Sequence, residues 1–215
     1  MKRHYRRVKN GPIVLVLLLL ACGCTRSDNQ GLLFQDEFNN SRSGWGKDQR
    51  EEFKRGYEGG EYFIELYEPN WFTWAHPGQE FDDVSVEVET HPASGSHDLH
   101  FGLLCRHADM GNFYYFAISA DGYYVIFRRA GGGDLEALTA GGRGMTPSSA
   151  IKTGEQVNHV RAVCQGNELS LYVNGELLAT VTDDTHTRGD VGIGGGSGPA
   201  GEARIQFDDF FVTEP

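Results

Sequence analysis

The chain has 215 residues, of which 39% are hydrophobic, 12% are aromatic and 29 are glycine. This composition suits one domain with a buried core and many tight turns, and it argues against a disordered chain. The formal net charge of −11 argues against nucleic acid as a partner, because an acidic surface repels phosphate groups. Neutral glycans, cations and basic partners stay compatible with this charge, as does simple solubility.

The first 21 residues have the order of an export signal. Five Lys and Arg residues precede an apolar run at 13–20, and this run is shorter than the roughly 20 residues of a transmembrane helix. The following Leu19-Leu20-Ala21-Cys22 resembles the bacterial lipobox, in which the cysteine is acylated and becomes the new N-terminus. The resemblance implies a signal peptide over residues 1–21, lipidation of Cys22 and an extracytoplasmic protein anchored to the bacterial cell envelope.

A short polar segment follows the signal. Residues 25–31 have no apolar period, so residues 22–31 are interpreted as a flexible tether and residues 32–215 as the folded domain. Without the signal, 14 basic residues face 30 acidic ones, so the exported part is more acidic than the whole chain. The alternative is an ordinary secretory signal that is cleaved near Ala21 or Gly23.

Short apolar runs rich in Val, Ile, Tyr and Phe fill the rest of the chain, and no helical period persists over three turns. They predict an all-β domain of two packed antiparallel sheets. Asn174-Gly175 predicts a hairpin turn, because both residues tolerate the positive φ of a type I′ turn. Residues 120–122 predict a second hairpin, and residues 147–150 a single helical turn. The predicted strands are 62–66, 71–75, 84–89, 99–106, 112–118, 123–127, 157–164, 168–173, 176–181, 190–193 and 205–212.

Cys105 and Cys164 each fall within a predicted strand. By alternation Cys105 shares a strand face with Leu103, and Cys164 shares one with Ala162, so both cysteines are predicted to point towards the core. In an oxidising compartment they form either a disulfide bond or two separate buried thiols. Neither has the close Cys or His companion of a zinc site.

Six segments, in this order, resemble the concanavalin A-like jelly-roll superfamily, which includes laminin-G-like domains. The resemblance implies a two-sheet antiparallel sandwich. It leaves the function open, because the superfamily includes lectins, glycosidases, adhesion modules and proteins with no known role. The segments are 34–38, 101–106, 112–116, 172–175, 189–193 and 207–212.

No catalytic residue is assigned from the sequence. Retaining glycosidases of this superfamily carry Glu-x-Asp-x-x-Glu on one strand, and that pattern is missing here. Glu87 and Glu89 share a strand face and suit the carboxyl separation of about 5 Å that retaining hydrolysis needs, but a solvated strand face is the simpler interpretation. No Gly-x-Ser-x-Gly nucleophile motif occurs either.

Acidic residues near the two ends of the domain are candidates for binding a metal. Jelly-roll domains similar to this one often hold a structural calcium ion where the first and last strands meet, so the resemblance implies Asp36 with Asp208 or Asp209 as ligands. Aspartates that cap turns are the alternative. The histidines within residues 91–107 are expected to be surface residues rather than transition-metal ligands.

Aromatic residues mark the candidate ligand site, because sugar rings stack their C–H faces on flat side chains. Trp71, Phe72 and Trp74 form the densest aromatic run near predicted loop edges. The alternative is that Trp71 and Trp74 fill the core beside Trp45. The remaining candidates for the same concave sheet are Tyr114, Tyr124 and Arg106.

These features favour a non-catalytic, lipid-anchored module that binds polysaccharide or glycan at the cell surface. The first alternative is a structural or assembly lipoprotein of the envelope that contacts another protein through an exposed sheet edge. The second alternative is a divergent glycoside hydrolase that uses Glu87 and Glu89.

Overall fold

The computed structural model of the protein describes residues 31–142 and 144–215. The predicted signal peptide, Cys22 and the tether up to residue 30 lie outside the described residues, so these assignments stay predictions. One compact unit spans Gly31–Pro215. None of the helical structure in the described part of the chain has the length and apolar character needed to cross a membrane.

The described residues form sixteen strands and one 3-10 turn at Ala140–Gly142, and they contain no α-helix. The strands are β1 (Leu32–Asp36), β2 (Asp48–Gln49), β3 (Phe53–Glu58), β4 (Glu61–Leu66), β5 (Phe72–Ala75), β6 (Val84–Gly95), β7 (His100–Asp109), β8 (Asn112–Ser119), β9 (Tyr123–Arg129), β10 (Glu136–Ala137), β11 (Thr146–Pro147), β12 (Asn158–Gln165), β13 (Glu168–Val173), β14 (Glu176–Thr182), β15 (Asp190–Gly196) and β16 (Ala203–Thr213).

The described strands are arranged in two antiparallel sheets. The nine-stranded sheet has the order β14-β13-β12-β6-β16-β4-β3-β2, and β1 also pairs with β16. The seven-stranded sheet has the order β10-β9-β8-β7-β15-β5, and β11 also pairs with β9. The predicted all-β sandwich of two antiparallel sheets is therefore confirmed.

Strand β16 organises the nine-stranded sheet. It pairs along one edge with β6 and along the other with β4 and then β1, so it joins the first strand of the domain to the middle of the sheet. The register with β6 shifts between Asp208 and Phe211, where Asp209 has a φ of 50°. Such a bulge lets one strand follow two partners whose directions differ.

The two sheets enclose one apolar core, and alternation decides which side chains enter it. In β12 the side chains of Val160, Ala162 and Cys164 are buried, whereas Arg161 lies on the outer face with its guanidinium 3.9 Å from the ring of Tyr172. The largest side chains of the core include Tyr62, Phe101, Tyr114, Phe116, Phe207 and Phe210.

A disulfide bond between Cys105 and Cys164 links the two sheets. Cys105 lies on β7 of the seven-stranded sheet, Cys164 lies on β12 of the nine-stranded sheet, and both side chains are wholly buried. The inward orientation predicted for both cysteines is confirmed. Of the two alternatives that alternation left open, the structure has the bridge.

The predicted strands and hairpins correspond to real elements, with some differences. Asn174 and Gly175 have φ values of 51° and 86°, as the hairpin between β13 and β14 requires. The helical turn predicted at 147–150 is wrong, because Pro147 belongs to strand β11 and residues 148–150 are not helical. Strands β1, β2 and β3 were not predicted. β2 has only two residues, and charged residues such as Lys54 interrupt the apolar pattern of β3.

We expect loss of the disulfide bond to lower the free energy of unfolding by about 4 kcal/mol, because the bridge closes a long loop in the unfolded chain. The two cysteines are 59 residues apart in the sequence. Urea unfolding of the wild type with and without reductant, beside a Cys105→Ala/Cys164→Ala variant, measures the effect. Equal midpoints in all three experiments would contradict a stabilising bridge.

Candidate functional site

A second apolar cluster covers the outer face of the seven-stranded sheet, on the side away from the main core. Alternation along β8 places Phe113, Tyr115 and Ala117 on this outer face, while Tyr114 and Phe116 point into the sandwich. The fully buried members of the outer cluster are Leu104, Phe113, Tyr115, Ala117 and Val125, and the partly buried members are Phe72, Trp74, Phe127, Leu135, Ala137 and Met145.

From Gly192 to Gly196, strand β15 has no side chains on this outer face, because Gly192, Gly194 and Gly196 occupy it. A Cβ atom on Gly194 would lie 2.9 Å from Leu104 Cδ1 and 3.2 Å from the rings of Phe72 and Tyr115. These distances are shorter than ordinary van der Waals contact. The glycines thus leave the space in which side chains from β5 reach across β15 to those of β7 and β8.

The side chains of β5 are fixed by this packing. The ring of Phe72 lies 4.8 Å from that of Tyr115 and 5.4 Å from that of Trp74, and the ring of Trp74 lies 5.3 Å from that of Phe113. Aromatic pairs at such distances stabilise one another by about 0.5–1.5 kcal/mol beyond their buried area. The edge of the sheet therefore presents an ordered aromatic surface.

A cleft of about 310 Å³ lies where the edge strand β5 faces β2 and β3 of the other sheet, and we call it the aromatic cleft. Trp71 is 37% exposed, and its ring stacks on no other aromatic ring among the described residues. Its backbone is held by Ser197, which accepts from Trp71 N through its side chain and donates its own N–H to Trp71 O. The cleft is lined by Asp48, Arg50, Phe53, Arg55, Trp71, Phe72, Thr73, Trp74, His76, His107 and Met110.

Two histidines close one end of the aromatic cleft. His76 Nδ1 lies 2.7 Å from Asp190 Oδ2, and the Nε1–H of Trp74 donates to His107 Nε2 at 3.0 Å. The two imidazole rings lie 4.7 Å apart. Asp190 also accepts from the backbone N–H groups of residues 78, 79 and 191, so its carboxylate fixes the loop that carries His76.

Burial lowers the pKa of His100 and His107, two histidines that pack beside the outer aromatic cluster. It lowers the pKa of His100 to about 4, and burial together with the neighbouring His76 lowers the pKa of His107. Neutral rings suit their contacts, since His107 accepts a hydrogen bond from Trp74 and His100 packs on Phe72 at 5.9 Å. The prediction that these histidines are surface residues is wrong for His107, which is buried, while His100 is half-buried beside Phe72.

Only part of the predicted ligand set meets at the cleft. Trp71, Phe72 and Trp74 line it, but Tyr114 and Tyr124 point towards the main core from the other face of their strands. Tyr114 is wholly buried, and its hydroxyl donates to Asp183 Oδ1 at 2.5 Å. The placement of these two tyrosines on the ligand-binding face is therefore corrected.

Arg106 does not reach the cleft either. Its side chain is 1% exposed, and its guanidinium donates to the carbonyl of His186 at 2.9 Å and to Asp83 Oδ1 at 3.0 Å. Its role is to tie together loops at one end of the sandwich. The sequence analysis instead missed Arg50 and Arg55, whose signal was a local excess of basic residues.

The candidate catalytic and metal-binding acids lie elsewhere. Glu87 and Glu89 are on the outer face of the nine-stranded sheet, across the sandwich from the aromatic layer, and Glu87 pairs with His159 at 2.9 Å. Asp36 accepts from Trp45 Nε1 and from Phe38 N, both at 2.8 Å. No group of three or more His, Cys, Asp or Glu side chains in the described residues is placed to hold a metal ion. Calcium binding at Asp36 and Asp208 stays a prediction.

We expect His100 to make the protein less stable as the pH falls from 6.5 to 4. The unfolded chain binds a proton at this residue near pH 6.5, whereas the folded chain binds it only near pH 4. Acid therefore favours unfolding by about 3 kcal/mol over this window. Urea unfolding across this pH range should show a shallower dependence for His100→Phe than for the wild type, while His97→Phe, at an exposed position nearby, should keep the wild-type slope. Identical slopes for wild type and His100→Phe would refute the assignment.

No protein-family model matches the chain, and no curated protein matches it. Solved structures do match. The carbohydrate-binding module CBM66 from Bacillus subtilis has 15% identity and a TM-score of 0.54, and the match covers 86% of this chain and 98% of that one. The β-glucanase of Bacillus licheniformis has 15% identity and a TM-score of 0.61, with 87% and 100% covered.

A third similar structure is a protein of unknown function with a galectin-like fold from Bacillus subtilis. It has 11% identity and a TM-score of 0.62, and the match covers 86% of this chain and 96% of that one. At these identities the likeness shows the fold alone. The described part of the chain has the concanavalin A-like jelly-roll fold, as the resemblance of its sequence implied.

Proposed function

We propose that this protein is a non-catalytic module that binds polysaccharide in the aromatic cleft. The observation that carries the proposal is the exposed ring of Trp71 beside the ordered rings of Phe72 and Trp74. An exposed indole with no stacking partner among the described residues leaves a flat apolar surface in contact with water. A sugar ring that stacks on it would remove this surface from water.

The rest of the cleft lining suits a sugar as well. Arg50, Arg55 and His76 place hydrogen-bonding groups around the aromatic surface, where hydroxyl groups of a sugar would lie. The volume of about 310 Å³ is at the lower end of the range for small-molecule sites, about 300–1,000 Å³. A cleft of this size at a sheet edge holds part of a longer polymer rather than enclosing a whole ligand.

The structural neighbours support a carbohydrate ligand. One is named as a carbohydrate-binding module and another as a β-glucanase. Many proteins of other functions share this fold, so the fold alone does not indicate a ligand. The likeness supports a carbohydrate ligand because this chain also has the aromatic cleft.

The acidic residues that line the cleft are too few for hydrolysis, so we favour binding as the function. A glycosidase of the usual type needs two carboxyl groups that flank the scissile bond. Among the described residues, Asp48 is the one acid that lines the aromatic cleft, and its Oδ2 pairs with Arg50 Nε at 3.1 Å. The cleft therefore lacks the pair of carboxyl groups in the described part of the chain.

We also propose that the module is held at the cell envelope by lipid on Cys22. The basic residues, apolar run and lipobox-like Leu19-Leu20-Ala21-Cys22 support this proposal. Acyl chains anchor a protein by about 0.8 kcal/mol for each buried CH₂ group. An anchored module would hold its polysaccharide close to the membrane surface.

We expect Trp71→Ala to weaken polysaccharide binding at least fivefold, on the order of 1 kcal/mol, because it removes the exposed stacking surface. The full-length exported protein is titrated calorimetrically with a panel of neutral and acidic polysaccharides. Tyr123→Ala is the matched control, since Tyr123 is 38% exposed and lies on β9, four strands away from β5 in the same sheet. The proposal fails if no polysaccharide binds, or if Trp71→Ala binds as the wild type does.

The anchor is tested by labelling cells with a palmitate analogue and separating their membranes. Cys22→Ser should abolish the label and release the protein from the membrane fraction, whereas Cys24→Ser should keep both properties. An unlabelled wild type would point instead to the ordinary secretory signal.

A further inference from the structure

The basic residues of this acidic protein are unevenly distributed. Of the 14 Lys and Arg residues that follow the signal, five lie within residues 42–55. This segment contains β2 and the start of β3, and these two strands form the edge of the nine-stranded sheet beside the aromatic cleft. A local positive region therefore lies next to the proposed polysaccharide site.

A second cleft of about 330 Å³ adjoins the aromatic cleft along this edge, and we call it the basic cleft. The two clefts share Asp48 and Arg55, which are cross-strand partners in β2 and β3. An extended polymer can therefore contact both. The basic cleft is lined by Lys47, Asp48, Gln49, Lys54, Arg55, Gly56, Tyr57, Glu58 and Phe63.

Lys47, Lys54 and Arg55 form no ion pair with any described residue. Each packs instead beside an aromatic ring, at 5.7 Å from Tyr57, 5.5 Å from Phe63 and 5.6 Å from Phe53 respectively. The Nε of Arg55 is buried and has no acceptor in the described part of the chain. The rings hold three cations in place while their charges stay unneutralised.

The acidic residues of the basic cleft have other partners. Glu58 pairs with Arg204, and Asp48 pairs with Arg50. Neither carboxylate therefore satisfies Lys47, Lys54 or Arg55. In a chain with twice as many acidic as basic residues outside the signal, unpaired cations beside a binding cleft indicate that the missing negative charge comes from the ligand.

We infer that the ligand is an acidic polysaccharide, whose sugar carboxylates meet Lys54 and Arg55 while a neighbouring ring stacks on Trp71. This inference rests on the proposed function and narrows its ligand class. The planar guanidinium of Arg55 can donate two parallel hydrogen bonds to one carboxylate. The acidic remainder of the surface repels polyanions, so retention depends on the few positions where the cations lie.

The probe is polygalacturonate, compared with the same polymer after full methyl esterification. Both polymers keep the sugar ring for stacking, and only the first carries carboxylates. Binding of the full-length exported protein in non-ionic detergent is measured by calorimetry at low and high salt. We expect polygalacturonate to bind at least tenfold more tightly than the ester, with an advantage that shrinks as salt screens the charges.

Two single variants and one control locate the charges. Lys54→Gln and Arg55→Gln should each weaken polygalacturonate binding about tenfold. Lys54→Gln should leave binding to the ester unchanged, because Lys54 does not line the aromatic cleft, whereas Arg55→Gln should weaken binding to the ester less than binding to polygalacturonate. Lys152→Gln removes the same charge from an exposed residue that lines neither cleft, and it should bind as the wild type does. Lys54 and Arg55 lie on different faces of β3, so the two substitutions disturb different neighbours. Circular dichroism shows whether each variant folds, and if one misfolds, the other still tests the inference.

The outcomes separate this inference from the proposed function. If both polymers bind equally and Trp71→Ala abolishes binding, the function stands and the acidic ligand is wrong. If neither binds and the full panel also fails, both are wrong. Equal losses in Lys152→Gln and Arg55→Gln overturn the placement of the charges. Binding to phosphatidylglycerol vesicles without binding to polygalacturonate would overturn the inference in favour of a lipid surface.

Discussion

The outer face of β15 is the constraint on which the proposed site depends. Since Gly192, Gly194 and Gly196 place no side chain there, the rings of β5 lie directly over the strand and meet those of β7 and β8. Larger residues would force Phe72 and its neighbours away from the sheet. The packing of this layer gives the edge strand a fixed position opposite β2 and β3, and the aromatic cleft is the space between them.

Charge and apolar surface are divided along that edge. On the seven-stranded sheet the cleft wall is aromatic, with Trp71 exposed and Trp74 hydrogen-bonded to His107. On the nine-stranded sheet the wall is basic, with Arg50 and Arg55 beside the ring of Phe53. One wall offers stacking and the other offers charge, so a polymer that carries both sugar rings and carboxylates matches the two walls better than a neutral one.

The sequence predicted the fold well and the site in part, and the reason lies in the strand patterns. β12 alternates apolar and polar residues, so the inward direction of Cys164 was predictable. β8 is apolar on both faces, because one face packs on the core and the other on the aromatic layer. A strand without polar residues on either face does not reveal which face is inward, so the sequence could not show that Tyr115 rather than Tyr114 points outward. The short charged strand β3 gave no strand pattern, although the excess of basic residues around Arg55 was visible in the sequence.

The most direct measurement is an NMR titration of the ¹⁵N-labelled protein with polygalacturonate, which follows the indole N–H signals. The chain has three tryptophans, and Trp45 serves as an internal reference, since it is buried and bonded to Asp36. A Trp71→Phe variant assigns the key signal. The account predicts that the Trp71 signal shifts with ligand while that of Trp45 stays unchanged. Saturable binding that leaves the Trp71 signal unmoved would place the ligand elsewhere and contradict it.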